Sequence, residues 1–455
     1  MKRIIVTVSV LVLGCALVFA GGGQQGQSGG AAAAAKKPVT FYTWWADASR
    51  LMGEAIVAEF EKANPSLKVE QNYVAYNDYH SKLNTVMASG VPADVFQLNE
   101  FLIKEWGSKD VIQDQRPYYL AAGINPEEFS LSSGTYSTGQ KLWAISYGIA
   151  ISVLFYNKDM LRAAGINPPP EDVTKPWTWD QYVAAAKKLT KDANGRTPND
   201  AGFNYDTLVQ YGTVMPTSWI YVLPLLYTGG SSVANSTGTA LEITSPAGIR
   251  IIQSIANLAL VDKVAPTVAM TNTNAFSSLP AMLMNGQLGM FIGGTFLFPD
   301  FKNEGYDVGI AQIPSFSGRG DNMTLPGAFV LGKGAGTDAF SLAYFVSNYN
   351  NWVTASKSSK VGLTELPDTR STYTDPALNA AWISQFDANL AKVAGDIIQK
   401  ACRPSESINM KNFSEIMDQT IAPVLDKVWL GSETAQQALP PLNQVLQGKL
   451  QGVWD

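Results

Sequence analysis

Val39-Thr40-Phe41-Tyr42-Thr43-Trp44-Trp45-Ala46-Asp47 is the stretch whose reading decides the fold of this chain. Its β-branched and aromatic residues make a short buried strand. Asp47 or Ser49 is placed to cap a helix that starts directly after it. In open α/β sheets, ligands sit outside the carboxyl ends of the strands, which is where the indoles of Trp44 and Trp45 fall. The plain alternative for either ring is a place in the core. Successive strand residues point to opposite faces, so a regular strand sends one ring beneath the helix and the other to the sheet edge. Trp45 lies nearer the turn and is the expected edge residue.

Outward from this strand, the apolar period predicts a helix over 48–62, with Leu51, Ala55, Ile56 and Phe60 on one face. Asn64-Pro65 ends it. A strand over 67–73, a helix over 76–89 stopped by Gly90 and Pro92, a strand over 94–98 and a third helix opened by Asn99-Glu100 follow. This β-α-β-α-β order predicts an α/β fold with a mainly parallel sheet flanked by helices. Further on, strands are expected over 141–145 and 151–156, on either side of Tyr147-Gly148, and over 289–292, 306–312 and 327–331. Helices are expected over 159–164, 179–189, 246–260 and 275–285, and through most of the chain after Asp338.

With 455 residues the chain exceeds one ordinary domain. A composition of 46% hydrophobic and 16% charged residues excludes a largely disordered chain. The net charge of −5 and the lack of a basic cluster argue against nucleic acid or an anionic membrane surface as partner. Met1-Lys2-Arg3 followed by the apolar run 4–13 reads as an export signal, with two processing readings. Val18-Phe19-Ala20 suits cleavage after Ala20, giving a signal peptide over 1–20. Val12-Leu13-Gly14-Cys15 resembles a lipobox, making Cys15 a lipid anchor site. Both readings deliver the protein outside the cytoplasm, to the periplasm or cell envelope. Residues 21–37 are Gly, Gln, Ser and Ala and read as a flexible tether. Cys402 is then alone in the folded body and reads as a packed residue, with no internal disulfide.

A single histidine, His80, excludes His-rich metal sites and argues against a Ser-His-Asp triad. There is no phosphate loop and no dinucleotide fingerprint, so no cofactor or metal is expected. Asp47, Asp78, Glu100 and Asp300 keep a paired-carboxylate hydrolase or lyase open as an alternative. Aromatic and planar polar residues recur instead at segment ends: Trp44, Trp45, Asn99, Glu100, Tyr147, Trp219, Tyr227, Phe296 and Arg370. Sugars present apolar C–H faces inside a rim of hydroxyls, which ring stacking and donor–acceptor side chains match.

Several segments carry a resemblance to a known family. Phe60-Glu61-Lys62-Ala63-Asn64-Pro65 after the opening strand, Met87-Ala88-Ser89-Gly90-Val91-Pro92-Ala93-Asp94-Val95, Lys141-Leu142-Trp143-Ala144-Ile145-Ser146-Tyr147 and Leu154-Phe155-Tyr156-Asn157-Lys158-Asp159 are four of them. Pro176 to Asp180 and Ala281-Met282 through Gly293-Gly294-Thr295-Phe296 are two more. Together they resemble the periplasmic solute-binding component of ABC transporters, in the family that includes maltose-binding-type proteins. Phe296 stands where the family often has Trp, Ser146 replaces a proline, and Pro326-Gly327-Ala328-Phe329 has fewer glycines than the family's return strand.

The resemblance implies a two-lobed periplasmic-binding-protein fold with the ligand cleft between the lobes. Lobe one would take 38–147 and 315–356, and lobe two 148–314 and 357–455. It implies a monomeric, non-enzymatic protein that binds a mono- or oligosaccharide by lobe closure and hands it to a membrane permease. A non-sugar solute such as a polyol phosphate is the alternative ligand. Trp44, Trp45, Asn99 and Glu100 would contribute from lobe one, Tyr147 at the crossing, and Trp219, Tyr227, Thr295 and Phe296 from lobe two. The Gly327 backbone and Arg370 would complete the polar ring.

Overall fold

The computed structural model describes residues 37–45, 47–90, 93–271, 278–363, 365–386 and 388–455. The expectations on Cys15, the export signal, the tether and the Asp47 side chain lie outside the described residues.

Strand β1 (Val39–Thr43) leads into helix α1 (Asp47–Ala63). Strand β2 (Val69–Tyr73), helix α2 (Tyr76–Ala88), strand β3 (Val95–Leu98) and helix α3 (Glu100–Ser108) follow. β1 pairs in parallel with β2 and with β3, as the alternating order predicts. The buried face of α1 carries Met52, Ile56, Val57 and Phe60, whereas Leu51 is 48% exposed. The expected face is thus rotated by about one residue, and Trp45 packs against the helix. Its ring sits where a side chain at Gly53 would be, 2.4 Å from a Cβ at that position.

Two short ladders stand apart from the main sheet: β4 (Ser137–Thr138) with β5 (Lys141–Leu142), and β7 (Lys191–Asp192) with β8 (Leu208–Gln210). Between them runs β6, one 12-residue strand over Ile145–Tyr156 in which every residue is buried. Two strands around Tyr147-Gly148 were expected. The Gly148 backbone continues straight through, and the irregularity is taken up as a bulge opposite Gly327 and Ala328.

The remaining strands are β9 (Met290–Gly294), β10 (Gly309–Ala311), β11 (Asn322–Leu331) and β12 (Cys402–Pro404). Their pairing makes β6 a shared element. Its first residues pair with β11, which pairs in turn with β3 and so with β1 and β2. Its last residues pair with β9 and β10. β11 runs antiparallel beside β6 over the same middle region, and β12 pairs in parallel with the first residues of β11. Three chain segments therefore pass side by side between the β1–β3 half and the β9–β10 half.

The apolar residues fall into three clusters. Odd-numbered residues of β6 (Ile145, Tyr147, Ile149, Ile151, Val153, Phe155) join Trp45, Phe329, Trp352 and Phe291 in one cluster behind the crossing strands. Leu154, Trp179, Leu226 and Trp429 belong to the core of the second half. Tyr79, Phe96, Leu98 and Ala144 form a smaller core on the other face of β3, which Trp44 borders. Between these last two cores, the even face of β6 carries only the small residues Ser146, Gly148, Ala150 and Ser152.

The helix Trp219–Thr228 has Pro224 inside it. The helix Tyr349–Ser359 runs unbroken through the expected lobe boundary at 356 and packs its Trp352 against Trp45. Among the described residues, no helix is long and apolar enough to cross a membrane.

Candidate functional site

Gln97, fully buried at the end of β3, fixes the two tryptophans. Its Oε1 accepts the Trp44 N–H at 3.0 Å, and its Nε2 donates to the Tyr147 hydroxyl at 3.0 Å. The first bond holds β1 extended to its last residue, so the two indoles diverge. Trp45 goes behind: it meets Phe41, Tyr147, Phe329 and Trp352 edge-on, with ring centroids 5.4–6.0 Å apart, and is 6% exposed. Trp44 stays half-buried on the opposite face, edge-on to Tyr79 at 5.1 Å and Tyr76 at 5.7 Å. The division of labour is as the strand geometry requires, but the expected edge residue was the wrong one of the pair.

A polar group lies beside Trp44. Tyr76 and His80 share one face of α2 at i, i+4 spacing. Asn99, the residue before α3, donates from Nδ2 to the Tyr76 hydroxyl at 3.1 Å and lies 3.0 Å from His80 Nε2. With Asn99 as donor, His80 Nε2 accepts and the imidazole carries its proton on Nδ1. That Nδ1 is buried without a hydrogen-bond partner. Burial holds the His80 pKa below its ordinary value, against an opposing pull from Asp418. Glu100, the first residue of α3, has a buried Oε1 without a partner, and burial pushes its pKa up to about 7. The wall thus presents a flat indole, a neutral imidazole N–H and a carboxyl group that titrates near neutrality. Unpaired buried polar atoms are costly, and this makes His80 Nδ1, beside the Trp44 ring, and Glu100 Oε1, at the start of α3, candidates for contact with a ligand.

α3 carries this wall to the other half. Phe101 meets Trp219 edge-on at 5.8 Å, and Trp219 meets Phe413 at 5.7 Å. One turn on, Lys104 donates to Asn409 Oδ1 at 2.7 Å, and burial pulls its pKa down to about 8. Trp219, at the first turn of its helix, is half-buried and faces α3. Trp44, Asn99, Glu100 and Trp219 therefore lie along a single path of contacts across the two halves.

The other expected residues are placed elsewhere. Tyr147 is the bulged residue of β6, stacked on Trp352 behind the strand. Gly327 gives that ring room, since a Cβ there would lie 2.6 Å from it. Tyr227 is buried two turns below Trp219, accepting the Glu406 N–H at 3.1 Å beneath the Arg403 guanidinium. Thr295 is fully buried and accepts the Ile151 N–H at 3.3 Å. The half-buried Phe296 folds back over Gly294, where a Cβ would overlap its ring. Arg370 is exposed and donates to the Glu127 carbonyl at 3.2 Å. Each of these six makes its described contacts within the protein, away from the Trp44 ring. Asp78 is exposed, and among the described residues no cluster of metal-ligating side chains occurs.

Sequence reasoning passed over Tyr76, Phe101, Lys104, Asn409 and Phe413, and used His80 only as the single histidine that argues against His-rich metal sites and a triad. The i, i+4 spacing of Tyr76 and His80, just after a strand end, was the available signal.

Two sheet halves joined by crossing strands, with an aromatic and polar wall between them, define a two-lobed binding protein. The chain belongs to the bacterial extracellular solute-binding protein family, whose profile matches residues 23–361. Its fold is similar to that of an ABC substrate-binding protein of Listeria monocytogenes in complex with cycloalternan, at 24% identity and a TM-score of 0.75 over 90% of this chain and 98% of that one. It is also similar to the maltose/maltodextrin-binding domain from Bdellovibrio bacteriovorus bound to maltotriose, at 17% identity and a TM-score of 0.71 over 91% and 99%. Among curated relatives, an sn-glycerol-3-phosphate-binding periplasmic protein of Brucella abortus is 29% identical over 192 residues, 42% of this chain. The match spans 40% of that relative's length.

Proposed function

We propose that this protein captures a neutral carbohydrate between its lobes, outside the cytoplasm, and delivers it to an ABC permease without making or breaking a bond. The observation that carries this reading is Trp44 beside His80, whose Nδ1 is unpartnered, with Asn99 joining that ring to the start of α3, where Glu100 Oε1 is unpartnered too. An indole offers a sugar's C–H face a partner, and the imidazole and carboxyl offer its hydroxyls a donor and an acceptor. Trp219 would close on the ligand from lobe two. We take β6, β11 and β12 as the crossing segments, which assigns the helices over 349–401 to lobe one. Ligand that touches both walls favours the closed state, because only that state satisfies both sets of contacts.

The relatives that bind glycerol phosphate favour a second reading, an anionic polyol. The site's charge opposes it. A phosphate calls for convergent Arg or Lys donors, whereas this wall carries Glu100, with Asp418 acting on His80, and Lys104 is already committed to Asn409. Tryptophan fluorescence of the folded, ligand-stripped protein, titrated with neutral mono- and oligosaccharides, tests the proposal. Silence across the whole panel overturns it.

A further inference from the structure

Behind the crossing strands, on the face opposite Trp44, lies a cavity of about 380 Å³. Ile149 of β6, Thr324 of β11 and Cys402 and Pro404 of β12 form its floor, and Gly395 and Ile398 of the helix Ala388–Ala401 roof it. All three crossing segments thus contribute, while Trp44, Asn99, Glu100 and Trp219 do not. Small-molecule pockets run from about 300 to 1,000 Å³ and are mostly apolar with a few placed polar groups. This one fits that description, with Leu131 and Tyr373 adding apolar wall.

The polar groups define the ligand's charge. Thr135, Thr324 and Gln399 are neutral hydroxyls and an amide. Ser132 is engaged with the buried Asp368, which takes both its N–H and its hydroxyl. Among the described residues that line it, the one cation is Arg403, which stacks on Tyr227 at 3.6 Å and faces Asp321 at 3.7 Å. Neither a carboxylate nor an ammonium finds a free counter-charge here, and burying either unpaired is costly.

We infer that this cavity is a second binding site, for a small, uncharged, largely apolar molecule carrying a hydroxyl or carbonyl. It is separate from the sugar cleft and does not depend on the carbohydrate reading. An occupant touches every segment on which the lobes turn, so it stabilises the conformation in which the cavity has this shape.

Gly395 supplies the test. A Cβ there meets no atom within 4 Å, so Gly395→Leu fills the cavity without a clash and replaces a helix-weakening residue. Ile398→Trp is a second filling variant. Calorimetric titration of the full chain with 1-naphthol, a neutral aromatic alcohol, should show one saturable site. Filling the cavity should weaken it by about tenfold or more, and Trp44→Ala should leave it unchanged. The inference is overturned if the wild-type protein gives no binding. It is equally overturned if both folded filling variants bind as wild type, or if Trp44→Ala abolishes binding and so places the probe in the cleft.

Discussion

The opposite placement of two adjacent indoles gives a double dissociation between stability and binding. Trp45 is 6% exposed and in edge contact with four aromatic rings. Trp45→Ala removes that packing and leaves a cavity beneath Gly53, and such truncations cost about 3–5 kcal/mol. This is a large share of the roughly 5–15 kcal/mol that holds a domain folded. Trp44 is half-buried at the edge of its cluster. Trp44→Ala forfeits edge contacts with Tyr76 and Tyr79, about 1 kcal/mol of stability. It also forfeits stacking on a sugar face, which at about 1–2 kcal/mol raises Kd roughly 5- to 30-fold. Denaturant unfolding followed by circular dichroism reads the first quantity, and calorimetry with a sugar ligand at low temperature reads the second. Trp45→Ala should shift the unfolding midpoint strongly and bind almost normally, and Trp44→Ala should do the reverse. If Trp45→Ala is as stable as wild type and loses binding, the assignment of faces is refuted.

Glu100 has a folded pKa of about 7, above its unfolded value, so the folded state holds its proton across a window in which the unfolded chain has lost it. Its contribution is therefore full at low pH and declines from about pH 4.5 to 7. Glu100→Gln should stabilise the protein by on the order of 3 kcal/mol at pH 8 and by nothing at pH 4; a constant difference across that range would contradict it. Gly53→Ala should destabilise by about 1–3 kcal/mol through collision with Trp45, although alanine is the better helix former by about 1 kcal/mol. A stabilised variant in thermal melts would show that the ring moves aside freely. For the export readings, radiolabelled fatty acid should follow the protein if Cys15 is lipidated and be lost in Cys15→Ala. An unlabelled protein whose N-terminus begins at Gly21 would favour cleavage after Ala20.

What was legible in the chain was whatever depends on local period and on short motifs. The β-α-β-α-β order is written in alternating apolar periods between Val39 and Ser108, and the pairing of β1 with β2 and β3 follows from it. That Trp44 and Trp45 must part was also legible, because alternation along a strand is a local rule. Which ring went behind was not. It depends on Gly53, nine residues from Trp44, and on Trp352, which arrives from a helix far along the chain. Tyr147 misled for a similar reason. Its neighbour Gly148 reads as a break between strands, but β11 supplies Gly327 opposite it and lets the strand continue with the ring packed behind. Tyr227 and Arg370 were read as ligand contacts at segment ends, and they bond to the backbone of Glu406 and Glu127, partners that only tertiary structure brings near. Asn99 and Glu100 could be singled out because a strand end and a helix start coincide there, and both properties are local.

His80 is the single histidine among 455 residues, so its ring gives one assignable pair of imidazole proton signals in a tag-free protein. The most direct measurement is an NMR titration of those signals with maltotriose and, separately, with sn-glycerol 3-phosphate. If a neutral sugar is the ligand and the Trp44 wall is its site, the sugar should shift the His80 signals saturably, at the same Kd that calorimetry gives, and hold the imidazole neutral below its ordinary pKa. The phosphate should leave them unmoved. A phosphate-dependent shift with no response to sugar, or sugar binding that leaves His80 untouched, would contradict the account.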